Sequence, residues 1–227
     1  MKLRHAMPVI LALALLSGGF RPASTPIALI MKAVPEVAKK NGASDWAAAG
    51  KSDQLLSGDK VRTGAKGLAI LKFLDRSIVR VRERSEVTLT TDPSGTPTAK
   101  IVDLRQAVIG FDIRKQVNEQ FRFTSPTSVA SIRGTQGKFT DHDSNDTLVV
   151  VEGLVNLKNQ VSNTEKDIPA GYIGFSGADG TLGSRPATPE ELAAASDAAL
   201  GGGESELKLE LKDPKGSKKE LKIKYKQ

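Results

Sequence analysis

Between residues 27 and 157 the chain is a series of short runs of apolar and β-branched residues, cut at regular intervals by turn chemistry. Residues 70–73 (ILKF) end at Asp75-Arg76-Ser77, and residues 78–81 (IVRV) lead through RERS into residues 87–91 (VTLTT). Residues 107–113, 121–123, 129–132 and 147–157 continue the series. Branched side chains suit a pleated, half-buried surface. The breaks fall at Gly58-Asp59, Gly64, Asp92-Pro93-Ser94-Gly95, residues 141–146 and Gly153, where Gly, Pro and Asp favour reversal of the chain. Strands this short and this evenly spaced predict an all-β fold, solenoid-like or sandwich-like in its stacking.

The core has to be aliphatic. Aromatic residues make up 4% of the 227, with Trp46 the single tryptophan, while apolar residues reach 39%. There is no cysteine, which excludes thiol catalysis and Cys-ligated zinc and fits an exported chain that needs no disulfides. The first residues, MKLRHAMPVILALALLSGG, place Lys2 and Arg4 before an apolar run and small residues after it. That order predicts a signal peptide over residues 1–19, removed on export, and a periplasmic or secreted mature chain. The apolar run is shorter than the roughly 20 residues a spanning helix needs, and a retained N-terminal anchor is the alternative. The formal charge of +7 is mild and favours anionic surfaces without pointing to nucleic acid.

Beyond the β-rich segment, expected over residues 27–171, residues 172–187 are rich in Gly and Ser and read as a linker. Thr188-Pro189-Glu190-Glu191 then carries a cap, a first-turn proline and a carboxylate three residues after the cap, and Gly201-Gly202-Gly203 ends the run. A short helix over 188–200 follows. In residues 204–227, Leu207, Leu209 and Leu211 alternate with charges, as do Leu221, Ile223 and Tyr225, on either side of Asp213-Pro214-Lys215-Gly216-Ser217. Period two about a Pro/Gly turn predicts a β-hairpin. Its Lys-rich face reads as a solvated face, with Lys222 and Lys224 as the candidate contacts to an anionic partner.

An ordered set of motifs resembles the FecR domain family. Trp46 precedes LSGDKVRTG at 56–64; residues 69–73, Asp75-Arg76-Ser77 and residues 85–89 follow. Then come Ile109-Gly110-Phe111, residues 121–124, Pro126-Thr127, residues 129–132, Arg133-Gly134-Thr135, Val150-Val151-Glu152-Gly153 and Ala170-Gly171. The resemblance runs from about residue 30 to 171. It implies a periplasmic, all-β, solenoid-like domain acting as a non-enzymatic binding or regulatory module of the cell envelope. Family members usually carry an acidic residue after Arg-Gly-Thr, where this chain has Gln136 and then Gly137. The family's signalling role, from transporter to sigma factor, stands as an alternative, and so does binding of polysaccharide or peptidoglycan. The implied partner is another envelope protein or a cell-wall polymer.

The signature residues read mainly as structure: Gly58 and Asp59 as a tight turn with the carboxylate accepting turn N–H groups, Gly64 as a positive-φ position, Glu152-Gly153 as a bulge or bend. Arg133 beside Gly134 and Thr135 reads as a staple tying carbonyls at a strand corner, with a bidentate carboxylate or phosphate site as the other reading. Asp141-His142-Asp143-Ser144-Asn145-Asp146, with Glu152 twelfth, partly follows a calcium-loop spacing, but Asp146 stands where that loop needs Gly, so a solvated hairpin turn is expected. With His142 alone outside the leader and no elbow context at Ser125, Ser128 or Ser131, nothing predicts catalysis, a metal or a cofactor.

Overall fold

The computed structural model describes residues 25–92, 94, 98–116, 119–201, 204–212 and 218–226, with residue 98 and the last two segments described by backbone alone. The expected leader and the turn residues 213–217 lie outside the described residues.

In chain order the strands are β1 (Ala28–Ala33), β2 (Val37–Lys40), β3 (Ala47–Ala48), β4 (Gln54–Leu55), β5 (Lys60–Thr63), β6 (Ala69–Phe73), β7 (Ile78–Val81), β8 (Glu86–Asp92), β9 (Thr98–Arg105) and β10 (Ala107–Ile113). There follow β11 (Glu119–Thr124), β12 (Ser128–Ile132), β13 (Thr135–His142), β14 (Asn145–Glu152), β15 (Leu154–Asn159), β16 (Glu165–Pro169), β17 (Tyr172–Gly177) and β18 (Leu182–Pro186). A helix, α1 (Pro189–Leu200), precedes β19 (Glu204–Lys212) and β20 (Lys218–Lys226).

Two nine-stranded sheets form a sandwich. The first has the order β18-β17-β14-β13-β10-β7-β6-β1-β4, the second β16-β15-β12-β11-β9-β8-β5-β2-β3. Strands covered on one face bury alternate residues, while β7, β10 and β14 also bury consecutive ones. In β13, Thr135, Gly137, Phe139 and Asp141 point inward and the residues between them are more exposed. The mid-core is a chain of rings: Phe73 against Phe121 (4.8 Å between centroids), Phe121 against Phe123 (5.5 Å) and Phe123 against Phe111 (4.9 Å). Leu71, Ile109, Leu148 and Leu157 fill the space around them, fully buried.

The sandwich corrects the solenoid expectation. The chain does advance from one edge to the other, as a solenoid does. It does so by laying segments alternately in the two sheets: β6-β7 in the first, β8-β9 in the second, β10 alone in the first, β11-β12 in the second, β13-β14 in the first. Ladders within hairpins are antiparallel, whereas stacked solenoid coils are parallel. The one parallel pair among the described ladders is β9 with β11, because β10 crosses alone to the other sheet between them.

The linker expected over 172–187 is instead β17 and β18, an edge hairpin of the first sheet. Its glycines are packing residues. A Cβ at Gly174 would sit 2.8 Å from Ile168 Cγ1 and 2.9 Å from Leu157 Cδ2, and one at Gly183 would lie 2.2 Å from the Phe175 ring. The absent side chains make room for neighbours, so the same composition that suggests a loop allows a strand.

Helix α1 has a full capping box: Thr188 Oγ1 accepts from Glu191 N, and Glu191 Oε2 accepts from Thr188 N at 2.8 Å. Gly201 closes it in the left-handed conformation (φ 67°), its N–H bonded to Asp197 O. The helix lies on the outer face of the first sheet, with Ala195, Ala198 and Ala199 buried and Val149 and Ile173 beneath. Gly110 is the seat: a Cβ there would be 1.9 Å from the Ala198 carbonyl oxygen. Among the described residues no helix lies on the outer face of the second sheet. The hairpin β19-β20 pairs Leu207 with Ile223 and Leu209 with Leu221, forming its own two-stranded sheet.

Candidate functional site

Two of the signature motifs, Arg133-Gly134-Thr135 and Glu152-Gly153, meet at one end of the sandwich. Arg133 and Gly134 carry the chain from β12 in the second sheet to β13 in the first, and Gly153 carries it back from β14 to β15. The two crossings pack on each other. Gly134 has φ 67° and Gly153 φ 91°, and a Cβ at Gly153 would lie 2.6 Å from Gly134 O and 2.8 Å from Thr135 Oγ1. Thr135, buried, donates its hydroxyl to Leu154 O at 3.1 Å. Here a corner is made by glycine at positive φ and by close backbone approach. The register shift at Gln136/Gly137 opposite Glu152 is a bulge next to that corner.

Arg133 takes no part in this bracing, which corrects the staple reading. It is exposed, and among the described residues it makes no hydrogen bond or ion pair. The bend at Gly134 turns it outward, onto the rim of a shallow groove of about 230 Å³ on the outer face of the second sheet. Glu119, Gln120, Ser131, Ile132, Leu154, Asn156 and Asp167 line the rest. The acids there are already engaged: Glu119 pairs with Lys100, and Asp167 accepts from Asn156 Nδ2 at 2.9 Å. Leu154 is half exposed. A permanently charged guanidinium free of partners beside an apolar side chain can hold a carboxylate and cover a small apolar surface at once.

Lys100 ties this end together. Its ammonium bonds Asp75 at 2.7 Å and also Glu119. Burial alone would pull Lys100 down, but the bonds to the two carboxylates outweigh it and hold it above its usual range. Asp75 also accepts from Ser77 N at 2.8 Å, closing the turn between β6 and β7. Nothing in the local sequence joins Lys100 to Asp75; only pairing of the two sheets does.

The remaining predicted residues are scattered. Gly58 has φ 93°, and Asp59, buried beside it, accepts from Leu56 N at 2.8 Å and from Asn41 Nδ2 at 3.0 Å. Gly64 is not a positive-φ position; Glu36 is (φ 70°), and Gly64 instead gives space to it, its absent Cβ falling 2.3 Å from Glu36 Oε2. Lys222 and Lys224 lie on β20, paired in register with Lys208 and Glu206; their side chains lie outside the described residues.

The calcium spacing does not form a loop of ligands. Asp141 and Asp146 are register partners of the β13-β14 hairpin and point inward, buried, while Asp143 sits at the exposed tip beside His142. Asp146 Oδ2 accepts from the hydroxyls of Ser125, Thr127 and Ser128, and its Oδ1 has no partner. Asp141 Oδ2 accepts from Gln106 N at 2.9 Å. Burial, and then the nearby Asp146, hold Asp141 above the usual carboxylate range. Among the described residues no group of three His, Asp or Glu is placed to hold a metal ion. Arg80 is another residue sequence reasoning passed over. Buried in β7, it donates to the last carbonyls of α1, Ala199 O and Leu200 O. Burial pulls its pKa down. Among the described residues no helix is long and apolar enough to cross a membrane.

Comparison with known proteins places the chain. Residues 59–156 match the family described as FecR protein, the span that holds Asp59, the Asp75 turn and the Arg133 corner. No curated protein sequence matches the chain. Two crystal structures from Parabacteroides distasonis ATCC 8503, at 1.65 Å and 2.50 Å and each called a "putative anti-sigma factor", share its fold, with TM-scores of 0.51 at 9% identity. The match covers 60% of this chain and 63% of the first of those chains, so the chain spans less than two thirds of its length.

Proposed function

The chain carries a FecR domain across residues 59–156, and from that premise we propose that it is a non-enzymatic regulatory module of the cell envelope that works by binding another envelope protein. The family match carries the reading, and the structural neighbours named as anti-sigma factors support a signalling context. The leader-like residues 1–19 support export to the periplasm or beyond. The contact surface is the corner groove, where Arg133 offers an unengaged charge beside exposed Leu154. Arginine is one of the residues that concentrate binding energy at protein interfaces. The chemistry-bearing residues support a binding role: Ser125 and Ser128 are spent on Asp146, and His142 sits on a hairpin tip.

The test is a photo-crosslinking residue in place of Leu154, with capture from intact cells and mass spectrometry of the mature N-terminus. A discrete envelope-protein adduct is expected, reduced at least tenfold by Arg133→Glu, with the chain starting after Gly19. Recovery of cell-wall fragments alone, an adduct indifferent to Arg133→Glu, or an uncleaved chain in the cytoplasmic fraction would each reject the proposal.

A further inference from the structure

No described residue covers the outer face of the second sheet at Arg62, Arg84 and Arg105, which form an arginine row at the end away from Arg133. Ladder register aligns Ala48, Ala38, Arg62, Glu86 and Arg105 across β3, β2, β5, β8 and β9. Arg84, in the turn between β7 and β8 with φ 52°, joins Arg62 and Arg105 in lining one groove of about 390 Å³. All three are exposed. Arg62 lies over the Trp46 ring, 4.2 Å from its centroid, which holds the guanidinium in place without neutralising it. Arg105 is bonded to Asp103 through Nε, leaving its other nitrogens to face the groove. Neither Arg62 nor Arg84 has a carboxylate partner among the described residues. The groove runs on past Arg105 into a wider channel with Thr88, Thr90 and Gln160 on its walls.

From this arrangement we infer that the face binds an acidic polysaccharide, a polymer of sugars bearing carboxylates at intervals. Charge spacing selects that ligand. Two strand-to-strand steps of about 4.8 Å separate Arg62 from Arg105, so their backbones are roughly 10 Å apart, and Glu86 stands between them. A nucleic acid carries a negative charge at every step along its strand and would set one of them against Glu86, whose carboxylate Lys60 Nζ, 3.5 Å away and partly exposed, offsets only in part. A chain with carboxylates set apart meets the two arginines, and the sugar hydroxyls between donate to Glu86. The hydroxyls of Thr88 and Thr90 continue the pattern into the channel. The site lies apart from the groove at Arg133 and does not depend on the protein-binding role proposed there.

The probe is hyaluronan, whose carboxylates fall on alternate sugars, titrated into the mature chain at low salt, with dextran, a single-stranded DNA oligonucleotide and vesicles containing anionic lipid as comparisons. The inference expects binding to hyaluronan that weakens with salt and exceeds that to the other three. The double variant Arg62→Gln/Arg105→Gln should lose at least tenfold in affinity with an unchanged circular dichroism spectrum. Lys222→Gln/Lys224→Gln removes the same charge and should lose less than threefold. DNA or vesicles binding more tightly, no binding to hyaluronan, or equal losses in the two double variants would overturn it.

Discussion

Replacing Gly153 with alanine, beside Arg133→Ala in the same corner, separates the two ways in which this end of the sandwich could be held. Gly153 has φ 91°, where an L side chain costs about 1–2 kcal/mol. The new methyl would also start 2.6 Å from Gly134 O and 2.8 Å from Thr135 Oγ1. The first of these is backbone in a crossing that is itself at positive φ, and the second is committed to Leu154 O. Relief requires the two crossings to separate, at about 1–3 kcal/mol for an overpacked site. Together the loss is about 2–5 kcal/mol, a fall in Tm of roughly 4–20 °C for a chain of this size. Arg133→Ala removes an exposed group with no bond among the described residues and should stay within about 0.5 kcal/mol. Thermal melts followed by far-UV circular dichroism on the mature chain measure both. A Gly153→Ala variant melting within 2 °C of wild type would refute the packing argument. An Arg133→Ala loss above about 2 kcal/mol, the range of a removed charge-assisted bond, would restore the staple.

Asp141→Asn tests the buried carboxylate pair. Because burial and Asp146 raise Asp141 in the folded state, its contribution is full below the unfolded value near 3.8 and is lost as pH rises through the folded one. Asparagine stays neutral, keeps an acceptor for Gln106 N and offers a donor to Asp146 Oδ1, so urea melts should show the variant at least as stable as wild type at pH 7, with the advantage shrinking toward pH 4. Lower stability at pH 7 would contradict this. Asp146→Ala leaves three buried hydroxyls without their acceptor, and the expected loss is at least about 1–3 kcal/mol, the cost of a buried polar group left unsatisfied, by the same melts. Gly110→Ala must lift α1, since the methyl meets helix backbone at 1.9 Å; hydrogen exchange should rise across residues 189–200 and leave β10 and β13 protected. Glu191 is lowered to about 2 by Arg185 and by Thr188 N, so its support of α1 is present above pH 4.5 and fades as pH falls toward 2; amide protection factors in α1, corrected for the intrinsic pH dependence of exchange, should fall over that range and stay level in Glu191→Gln.

The strands at residues 70–73, 78–81, 87–91, 107–113, 121–123 and 129–132 and the cap of α1 were legible in one dimension, because their signals are local, whereas β9 and β13 fell between the predicted runs. Period-two burial depends on each residue's neighbours two apart, and the Thr188-Glu191 box closes within one turn. Turn positions at Gly58, Gly134 and Gly153 were legible for the same reason, since ready tolerance of positive φ is a property of glycine itself, although Gly64 does not use it and Glu36 adopts it instead. Which strand pairs with which was not. Antiparallel hairpins laid alternately in two sheets and parallel coils use the same alternation, and only contacts between residues far apart in the chain separate them. The glycines at 64, 110, 174 and 183 look alike as letters, yet each is there for a different distant neighbour: Glu36, Ala198, Ile168 with Leu157, and the Phe175 ring. The freedom of Arg133 and the alignment of Arg62 with Arg105 likewise came from the third dimension. A side chain's partners depend on what the rest of the chain brings near it, and here pairing placed acids beside Lys100 and none in contact with Arg133.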